Sequence, residues 1–236
     1  LADLKVALVS DLHAGAPHVD EARIERVVAA VNRAKPDVVA LLGDYIDPEV
    51  TFGEFIAPEP VAARLAALEA PLGVFAVLGN HDWLNDGERV RGALREQRIE
   101  VLENDAVAVA LAGQVVWLVG LADATERRPD IATPFSLVPE GAPLIVLSHD
   151  PDLFALLPDR PLLTLAGHTH GAQVNVPVVR ERVTPSRYGE RYAGGLFHSG
   201  RKVMYVSRGI GTSTFPVRFR ATPEVVVLKL AGSVRR

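Results

Sequence analysis

The strongest constraint on the fold is a series of short apolar runs that recur along the chain. The runs are four to six residues long and cover residues 4–9, 38–42, 74–78, 115–119, 144–147 and 162–165. Runs of this length that are rich in Val, Leu and Ile are typical of strands buried on both faces. Because such strands need layers of structure on either side, the sequence predicts a layered α/β fold.

Helical patterns lie between several of these runs. Asp20 can cap a helix whose apolar face lies within residues 24–31. A second helix is predicted near Pro60, which suits a first helical turn, and a weaker pattern follows Gly87. The alternation of strand and helix supports the α/β class.

The last part of the chain departs from this alternation. Two strand-like runs, at residues 203–206 and 225–228, have no helix between them, which predicts that the sheets finish with antiparallel pairing. Residues 45–60 and 177–199 show no clear periodicity, so we expect long loops there.

The composition excludes several classes of protein. Of the 236 residues, 48% are apolar, enough for a buried core, and we expect a single domain spanning residues 1–236. The 25 basic and 29 acidic residues leave a net charge of −4, which argues against a nucleic-acid-binding protein. Cysteine is absent, which excludes disulfides and thiolate metal sites. No apolar run approaches the roughly 18 residues of a membrane-spanning helix.

Five of the apolar runs are followed at once by residue types that bind metals. The carboxyl ends of strands in α/β sheets open into the ligand-binding crevice, so these residues are expected to meet there. They are Asp11, His13, Asp44, Asp47, Asn80, His81, His149, His168 and His170. Side chains two residues apart on an extended strand end point to the same side, so Asp11 and His13 can share one ion.

The chemistry of this set indicates two metal ions. His, Asp and Asn offer nitrogen and oxygen atoms, which suit Mn, Fe, Zn, Co or Ni. About seven ligands are too many for one catalytic ion with an open position, whereas two ions that share a carboxylate would use them. A lone histidine after a strand is usually a packing residue, but five of the seven histidines follow strands here. His18 and His198 lie outside the set and are expected at the surface.

The ordered set of motifs resembles the calcineurin-like metallophosphoesterases. The motifs are Asp11-Leu12-His13, Gly43-Asp44 followed by Asp47, Gly79-Asn80-His81-Asp82, His149, and Gly167-His168-Thr169-His170. The resemblance covers almost the whole chain and implies an α/β fold, a four-layer αββα sandwich with two mixed β-sheets. Residues 149–152, 205–211 and 216–219 are most similar to the bacterial single-domain phosphodiesterases, which include UDP-2,3-diacylglucosamine pyrophosphatases.

The resemblance also implies which residues hold metal. The first ion would be held by Asp11, His13 and His170. The second ion would be held by Asn80, His149 and His168. Asp44 would bridge the two divalent ions, for which Mn, Fe and Zn are the expected metals.

Two further residues receive catalytic roles from the resemblance. His81 would point at the substrate, and Asp47 would orient it through a hydrogen bond. Pro48 stands where the Ser/Thr protein phosphatases have an Arg-Gly pair, which weakens a protein-phosphatase interpretation. Ala172 replaces a glycine that this branch usually has, a small change beside the ligands.

The implied reaction is hydrolysis of a phosphodiester or pyrophosphate bond by attack of a metal-bound hydroxide. His81, if protonated, would donate a proton to the leaving oxygen. The expected substrate is a small-molecule or lipid-linked phosphate ester, with a nucleotide-sugar lipid as the leading case, and no sequence-specific nucleic acid. A broad (cyclic) nucleotide phosphodiesterase and a non-catalytic scaffold are the alternatives, and the complete ligand set argues against the scaffold.

Contacts outside the metal ligands are less defined. Arg208 follows a strand and is a candidate phosphate contact, although a solvated turn explains it equally well. The basic stretch at residues 180–191 could attract a membrane surface or simply be a charged loop. Phe52, Phe55 and Ile56 could form a lid for acyl chains or pack against the sandwich.

The location of the protein and its oligomeric state stay open at this stage. The expected locations are the bacterial cytoplasm and a membrane-associated position. The sequence starts at Leu1, so a trimmed native N-terminal anchor or signal is among the expectations.

Overall fold

Two mixed β-sheets contain most of the strands. The structure, a computed structural model, describes residues 4–16, 18–47, 49, 52–111, 113–177 and 179–231, with only the backbone of Ala16. The strands are β1 Leu4–Val9, β2 Gly15–Ala16, β3 Val38–Leu41, β4 Glu54–Phe55, β5 Val74–Ala76, β6 Glu100–Val101, β7 Asp105–Leu111, β8 Gln114–Gly120, β9 Leu144–Leu147, β10 Leu162–Ala166, β11 Gly195–Ser199, β12 Lys202–Val206 and β13 Val226–Leu230.

Helices connect the strands and cover the outer faces of the sheets. They are α1 Glu21–Ala34, α2 Pro58–Leu65, α3 Asn80–Glu96, α4 Ala132–Leu137 and α5 Val179–Val183. Short 3-10 helices lie at Pro151–Leu156, His170–Ala172 and Gly189–Tyr192. Among the described residues, no helix is both long enough and apolar enough to cross a membrane.

Both sheets combine parallel and antiparallel pairs. The first has the strand order β13-β1-β3-β5-β6, in which β13 pairs antiparallel with β1 and the other pairs are parallel. The second has the order β11-β12-β10-β9-β8-β7, with antiparallel pairs only at its two edges. The antiparallel pairing of β13 confirms the prediction for the end of the chain.

Side chains of β1 show why the apolar runs are continuous. Val6 and Leu8 belong to the core between the two sheets. Ala7 and Val9 point to the opposite face and pack in the core beneath α1, α2 and α3. A third core lies on the outer face of the second sheet, where α4 and the 3-10 turns cover it. The resulting helix–sheet–sheet–helix arrangement confirms the predicted four-layer sandwich.

The first predicted helix agrees with the structure in its cap and in its apolar face. The Asp20 side chain accepts a hydrogen bond from the backbone N–H of Arg23 at 2.7 Å. The buried residues of α1, which include Ile24 and Val31, fall within residues 24–31. The second predicted helix is α2, which begins at Pro58.

The third helix begins earlier than its apolar pattern indicates. α3 starts at Asn80, not after Gly87, and its backbone leaves helical geometry at Asp86. Apolar periodicity could not reveal its first turn, because Asn80 and His81 there face the functional site described below. The predicted helix begins only where Val90 and later residues turn to the core.

Residues 177–199, predicted as a loop, contain regular structure. α5, a 3-10 turn and the edge strand β11 lie in this segment. β11 was missed because three of its five residues are exposed and none is fully buried, which breaks the buried-strand pattern. The edge strand β7 was missed because exposed residues break the same pattern. In the other predicted loop, residues 45–60, β4 pairs with β2. Residues 48, 50 and 51 of this segment lie outside the described residues.

Candidate metal centre

Polar residues gather where β1, β3, β5, β9 and β10 end. Five of them have a left-handed backbone: Asp11, His13, Asp44, His168 and His170, with φ between 43° and 71°. Asp, Asn and His tolerate this conformation better than other non-glycine residues. Such conformations persist where surrounding structure enforces them, and they cluster at functional sites. The sharp turns direct the side chains of separate segments into one cluster.

The first part of the cluster joins the ends of β1, β3 and β10. The Nε2 atoms of His13 and His170 lie 3.0 Å apart. His13 Nε2 is 3.3 Å from Asp44 Oδ2, and His170 Nε2 is 3.5 Å from Asp11 Oδ1. All four side chains are buried, and their ligand atoms lie within 4.8 Å of one another.

The second part of the cluster uses the same oxygen of Asp44. Asp44 Oδ2 is 3.2 Å from Nε2 of His149, which is also 3.2 Å from Asn80 Oδ1. His168 Nδ1 lies 3.1 Å from His149 Nε2. His149 donates from Nδ1 to the carbonyl of Leu42 at 2.7 Å, which leaves Nε2 directed into the cluster. Asp44 therefore stands between two groups of ligands.

The donor set fits divalent cations. Imidazole nitrogens that face each other at 3.0–3.1 Å, with carboxylate and amide oxygens around them, bring several ligand atoms together, and these present lone pairs once the rings are deprotonated. Nitrogen and oxygen ligands of this kind suit first-row transition metals. The seven sequence-predicted metal ligands all lie in these two groups, and Asp44 is the member common to both.

Burial and charge set the protonation of the cluster. Burial, with His149 nearby, lowers the pKa of His168 to about 4, so its ring is neutral at pH 7. Burial opposes the charged form of His13 as well, but hydrogen bonds to Asp44 and Asp47 raise its pKa to about 10. Burial would raise the pKa of Asp44, yet the neighbouring His149 and His13 hold it well below its usual range. The centre therefore favours positive charge around an ionised Asp44.

The candidate catalytic pair lies beside the first group. His81 Nδ1 is 3.6 Å from Asp47 Oδ1, and 17% of the His81 side chain is exposed. The backbone N–H of His81 donates to Asp44 Oδ1 at 2.9 Å. The other oxygen of Asp47 lies 3.3 Å from His13 Nδ1. Burial would raise the pKa of Asp47, but the neighbouring His13 and His81 hold that pKa well below its usual range.

Asp82 was in a recognised motif but received no role from the sequence. It is fully buried and accepts hydrogen bonds from the backbone N–H groups of Asp44, Tyr45 and Gly79 at 2.8, 2.8 and 2.9 Å. Burial and the charge of Asp44 raise its pKa to about 7. Three N–H donors favour the ionised form. Asp82 thus ties the turn after β3 to the start of α3.

Close packing around Gly79 brings these turns together. A Cβ atom at Gly79 would lie 2.2 Å from Asp44 Oδ1 and 2.7 Å from the backbone nitrogen of Asp44. No side chain fits such a gap without displacing the backbone. The glycine of this motif therefore permits the approach between the ends of β3 and β5.

The sequence analysis also gave no role to Arg218 and Asp123. Arg218 donates to the carbonyls of His170 and Ala221 at 3.2 and 3.1 Å, and its Nη2 is 3.2 Å from His170 Nδ1. Burial lowers its pKa to about 10. Asp123 is buried after β8, and one carboxylate oxygen has no hydrogen-bond partner among the described residues. Its position after an apolar run was the available signal.

Arg208 lies near the centre but faces a carboxylate. Its Nη1 is 3.3 Å from Glu224 Oε2, and its aliphatic part packs over Gly171. It is not among the residues that line the cavity described next.

In the basic stretch at residues 180–191, Arg180 forms an ion pair with Glu190. His198 is exposed as expected, whereas His18 is half-buried beside His13 and Asp47.

A cavity of about 460 Å³ opens over the cluster. Its lining includes Asp44, Asn80, His81, His168 and His170 of the cluster. Its lining also includes the apolar residues Val174, Val183, Pro185, Phe215 and Val217, here called the apolar wall. A cavity of this size and lining suits a small organic ligand.

The aromatic loop stands apart from this cavity. Ile56 packs against the helix-side core, and Phe55 pairs with Gly15 in the β2–β4 ladder. Phe52 is 83% exposed. None of the three lines the cavity over the cluster.

Comparison with known proteins identifies relatives of this chain. The calcineurin-like phosphoesterase family model matches residues 4–172. The phosphodiesterase YaeI of Escherichia coli is 35% identical over 97% of this chain and 83% of its own length. An uncharacterized metallophosphoesterase of Bacillus subtilis, YkuE, is 32% identical over 89% of this chain and 73% of its own.

Solved structures support the fold. The NAD nucleotidase of Haemophilus influenzae superposes with a TM-score of 0.55 at 16% identity, covering 88% of this chain and 45% of that one. A 5'-nucleotidase precursor from Thermus thermophilus gives a TM-score of 0.53 at 16% identity, covering 96% and 54%. The present chain therefore spans about half the length of these two proteins, and the likeness concerns the fold alone.

Proposed function

Because the chain belongs to the calcineurin-like phosphoesterase family, whose members are metal-dependent phosphoesterases, we propose that it hydrolyses phosphodiester or pyrophosphate bonds at this centre. One observation carries the proposal. A single oxygen of Asp44 lies 3.3 Å from His13 and 3.2 Å from His149, between two groups of ligands. That geometry suits a carboxylate shared by two cations. The relative YaeI is named a phosphodiesterase.

The ligands divide between two cation positions. Asp11, His13 and His170 would hold the first, and Asn80, His149 and His168 the second, with Asp44 common to both. Two divalent cations bound there would activate water and neutralise charge on the phosphate oxygens. Mn, Fe and Zn are the cations to test, because the nitrogen and oxygen donors suit all three.

His81 is the proposed proton donor to the leaving oxygen. Its ring lines the cavity beside the cluster, which is where the ester must lie. Asp47 faces His81 Nδ1 and would keep that ring oriented. General acid catalysis of this kind contributes roughly 10²–10⁴ in rate. Arg208 keeps its proposed role as a phosphate contact only if its guanidinium leaves Glu224 when substrate binds.

The apolar wall supports a substrate with a hydrophobic group, and we propose a lipid-linked phosphate ester such as a nucleotide-sugar lipid. Val183, Phe215 and Val217 on this wall are 44%, 60% and 55% exposed, so a chain could lie along them. The same surface would place the protein at a membrane in peripheral contact. A cyclic or other nucleotide would instead use the cavity for its base.

Metal-loading and activity measurements test the reaction class. Protein stripped with a chelator and reloaded separately with Mn, Zn and Fe should bind two ions and hydrolyse bis(p-nitrophenyl) phosphate. His81→Ala should keep both ions and lose much of kcat, with a smaller loss for the activated nitrophenyl leaving group. Fully loaded wild-type protein that cleaves no phosphodiester, pyrophosphate or monoester would refute the proposal, as a scaffold would behave.

A matched pair of exposed valines tests the lipid proposal. Val217→Asp introduces charge on the cavity wall, whereas Val115→Asp changes a valine of β8 that does not line the cavity. The Val217 variant should raise KM for a UDP-linked diacyl sugar and leave KM for a small soluble diester unchanged. The Val115 variant should change neither. Faster turnover of cyclic nucleotides than of the lipid would favour the nucleotide alternative.

A further inference from the structure

One irregular segment crosses the candidate metal centre. Residues 209–221, here called the strap, follow β12 of the second sheet and precede β13 of the first. Ser213, Phe215 and Val217 of the strap line the cavity. The backbone N–H of Gly211 donates to the carbonyl of Asp11 at 2.7 Å. The strap is thus attached directly to a ligand-bearing turn.

Gln173 fastens the middle of the strap. Its Oε1 accepts a hydrogen bond from the backbone N–H of Ser213 at 2.9 Å. Its Nε2 donates to the carbonyls of Ser213 and Phe215 at 2.9 and 3.0 Å. Its own carbonyl accepts from the N–H of Phe219 at 2.9 Å. Because both ends of the carboxamide are used, Gln173 fixes the backbone position of Ser213.

The residue held in this way faces the candidate acid. Ser213 Oγ lies 3.5 Å from His81 Nε2. On the other side of the same ring, His81 Nδ1 lies 3.6 Å from Asp47. The imidazole therefore stands between a carboxylate and a hydroxyl. Hydrogen bonds at such sites are often long without substrate and shorten in the reacting complex.

We propose that Ser213 is a positioning residue for His81 and that Gln173 places it there. The inference rests on the proposed function, in which His81 donates a proton. A hydroxyl can accept from Nε2–H, so Asp47 and Ser213 together restrict rotation of the ring. When substrate binds, the leaving oxygen replaces Ser213 Oγ as the acceptor of this Nε2–H, and the ring already has the orientation that proton donation requires.

The test uses leaving groups of different quality. Ser213→Ala should lower kcat for a phenyl phosphodiester by about fivefold to tenfold, the value of one hydrogen bond. The loss should be smaller for the p-nitrophenyl diester, which needs little proton donation. KM and the two bound metals should be unchanged, and Ser213→Thr, which keeps the hydroxyl, should restore kcat. Ser199→Ala, at an exposed serine of β11, is the control.

A variant of the fastening residue provides a second arm. Gln173→Glu replaces an N–H donor by an oxygen opposite the carbonyls of Ser213 and Phe215, so it should reproduce the leaving-group pattern of Ser213→Ala. Equal losses for both esters, loss of metal, or no effect of Ser213→Ala would overturn the inference.

Nitrogen NMR of the His81 ring gives a readout that needs no turnover. The Nε2 resonance of His81 should shift in Ser213→Ala and stay in place in Ser199→Ala. If the metal-loaded wild type cleaves neither ester, the proposed reaction is wrong, and the NMR comparison alone decides whether Ser213 positions the ring. An unshifted resonance in Ser213→Ala overturns the positioning role.

Discussion

Asp47 Oδ2 lies 3.3 Å from Nδ1 of His13, so this carboxylate contacts a candidate metal ligand in addition to the candidate acid. Its other oxygen faces His81. Carboxylates that orient a metal-bound histidine raise its basicity and fix its tautomer. The family resemblance predicts a contact of Asp47 with His81 only.

Asp47→Asn should therefore weaken both functions. We expect a loss of roughly 10- to 100-fold in metal affinity and a loss of similar size in activity. Isothermal titration of chelator-treated protein with Mn or Zn measures the first, and steady-state kinetics measure the second. His81→Ala is the matched comparison, because it should reduce kcat with metal affinity preserved. Unchanged metal affinity in Asp47→Asn would show that the His13 contact has no role in metal binding.

Asp44→Asn should abolish stabilisation by metals. The wild-type protein should gain stability when cations bind the folded state, by about 2.7 kcal/mol for each ion at a free metal concentration 100 times its Kd. Thermal unfolding with and without Mn measures this gain. Asp105→Asn, at an exposed residue of β7, should behave as the wild type. A full metal-induced shift in Asp44→Asn would mean that Asp44 is not shared by the ions.

Asp82→Asn should destabilise the fold itself. The new amide would turn donors toward the N–H groups of Asp44, Tyr45 and Gly79, leaving at least one of them unpaired, at a cost of about 1–3 kcal/mol each. Urea unfolding of metal-free protein measures the loss. Asp86→Asn, whose carboxylate accepts from the exposed N–H of Arg89, is the control and should cost less. Equal stability of the two variants would contradict the structural role of Asp82.

Asp150 gives a pH-dependent prediction. Burial raises the pKa of Asp150 to about 6 from an ordinary value of 3.8. A folded-state pKa above the unfolded value contributes stability that is complete below pH 3.8 and is lost as the pH rises through 6. Asp150→Asn lacks this titration and keeps an oxygen for the N–H of Asp152.

Between pH 5 and pH 8, the wild type should therefore lose about 1 kcal/mol of unfolding free energy relative to Asp150→Asn. Urea unfolding of both proteins, free of metal, at the two pH values measures the difference. A constant difference across this range would show that Asp150 titrates in the folded protein as it does in the unfolded chain.

Much of the fold followed from local patterns. The six apolar runs all lie in or overlap strands, and α1 begins after the predicted cap at Asp20. The edge strands β7 and β11 and the first turn of α3 were missed, because these segments are half exposed or face the centre instead of the core. Apolar periodicity indicates which residues are buried. It therefore does not predict a strand that is partly solvated or a helical turn whose side chains are ligands.

The candidate centre divides in the same way. The residue types and their positions after apolar runs were readable from the chain, because parallel strands must end at a common edge. The left-handed turns at Asp11, His13 and Asp44 were not readable, since neighbouring segments impose them. The sequence also did not predict the contact of Asp47 with His13 or that of Ser213 with His81. The first pair is separated by 34 positions in the chain and the second by 132. Local sequence encodes which face of an element is buried, whereas such pairings depend on how whole sheets and connecting segments pack.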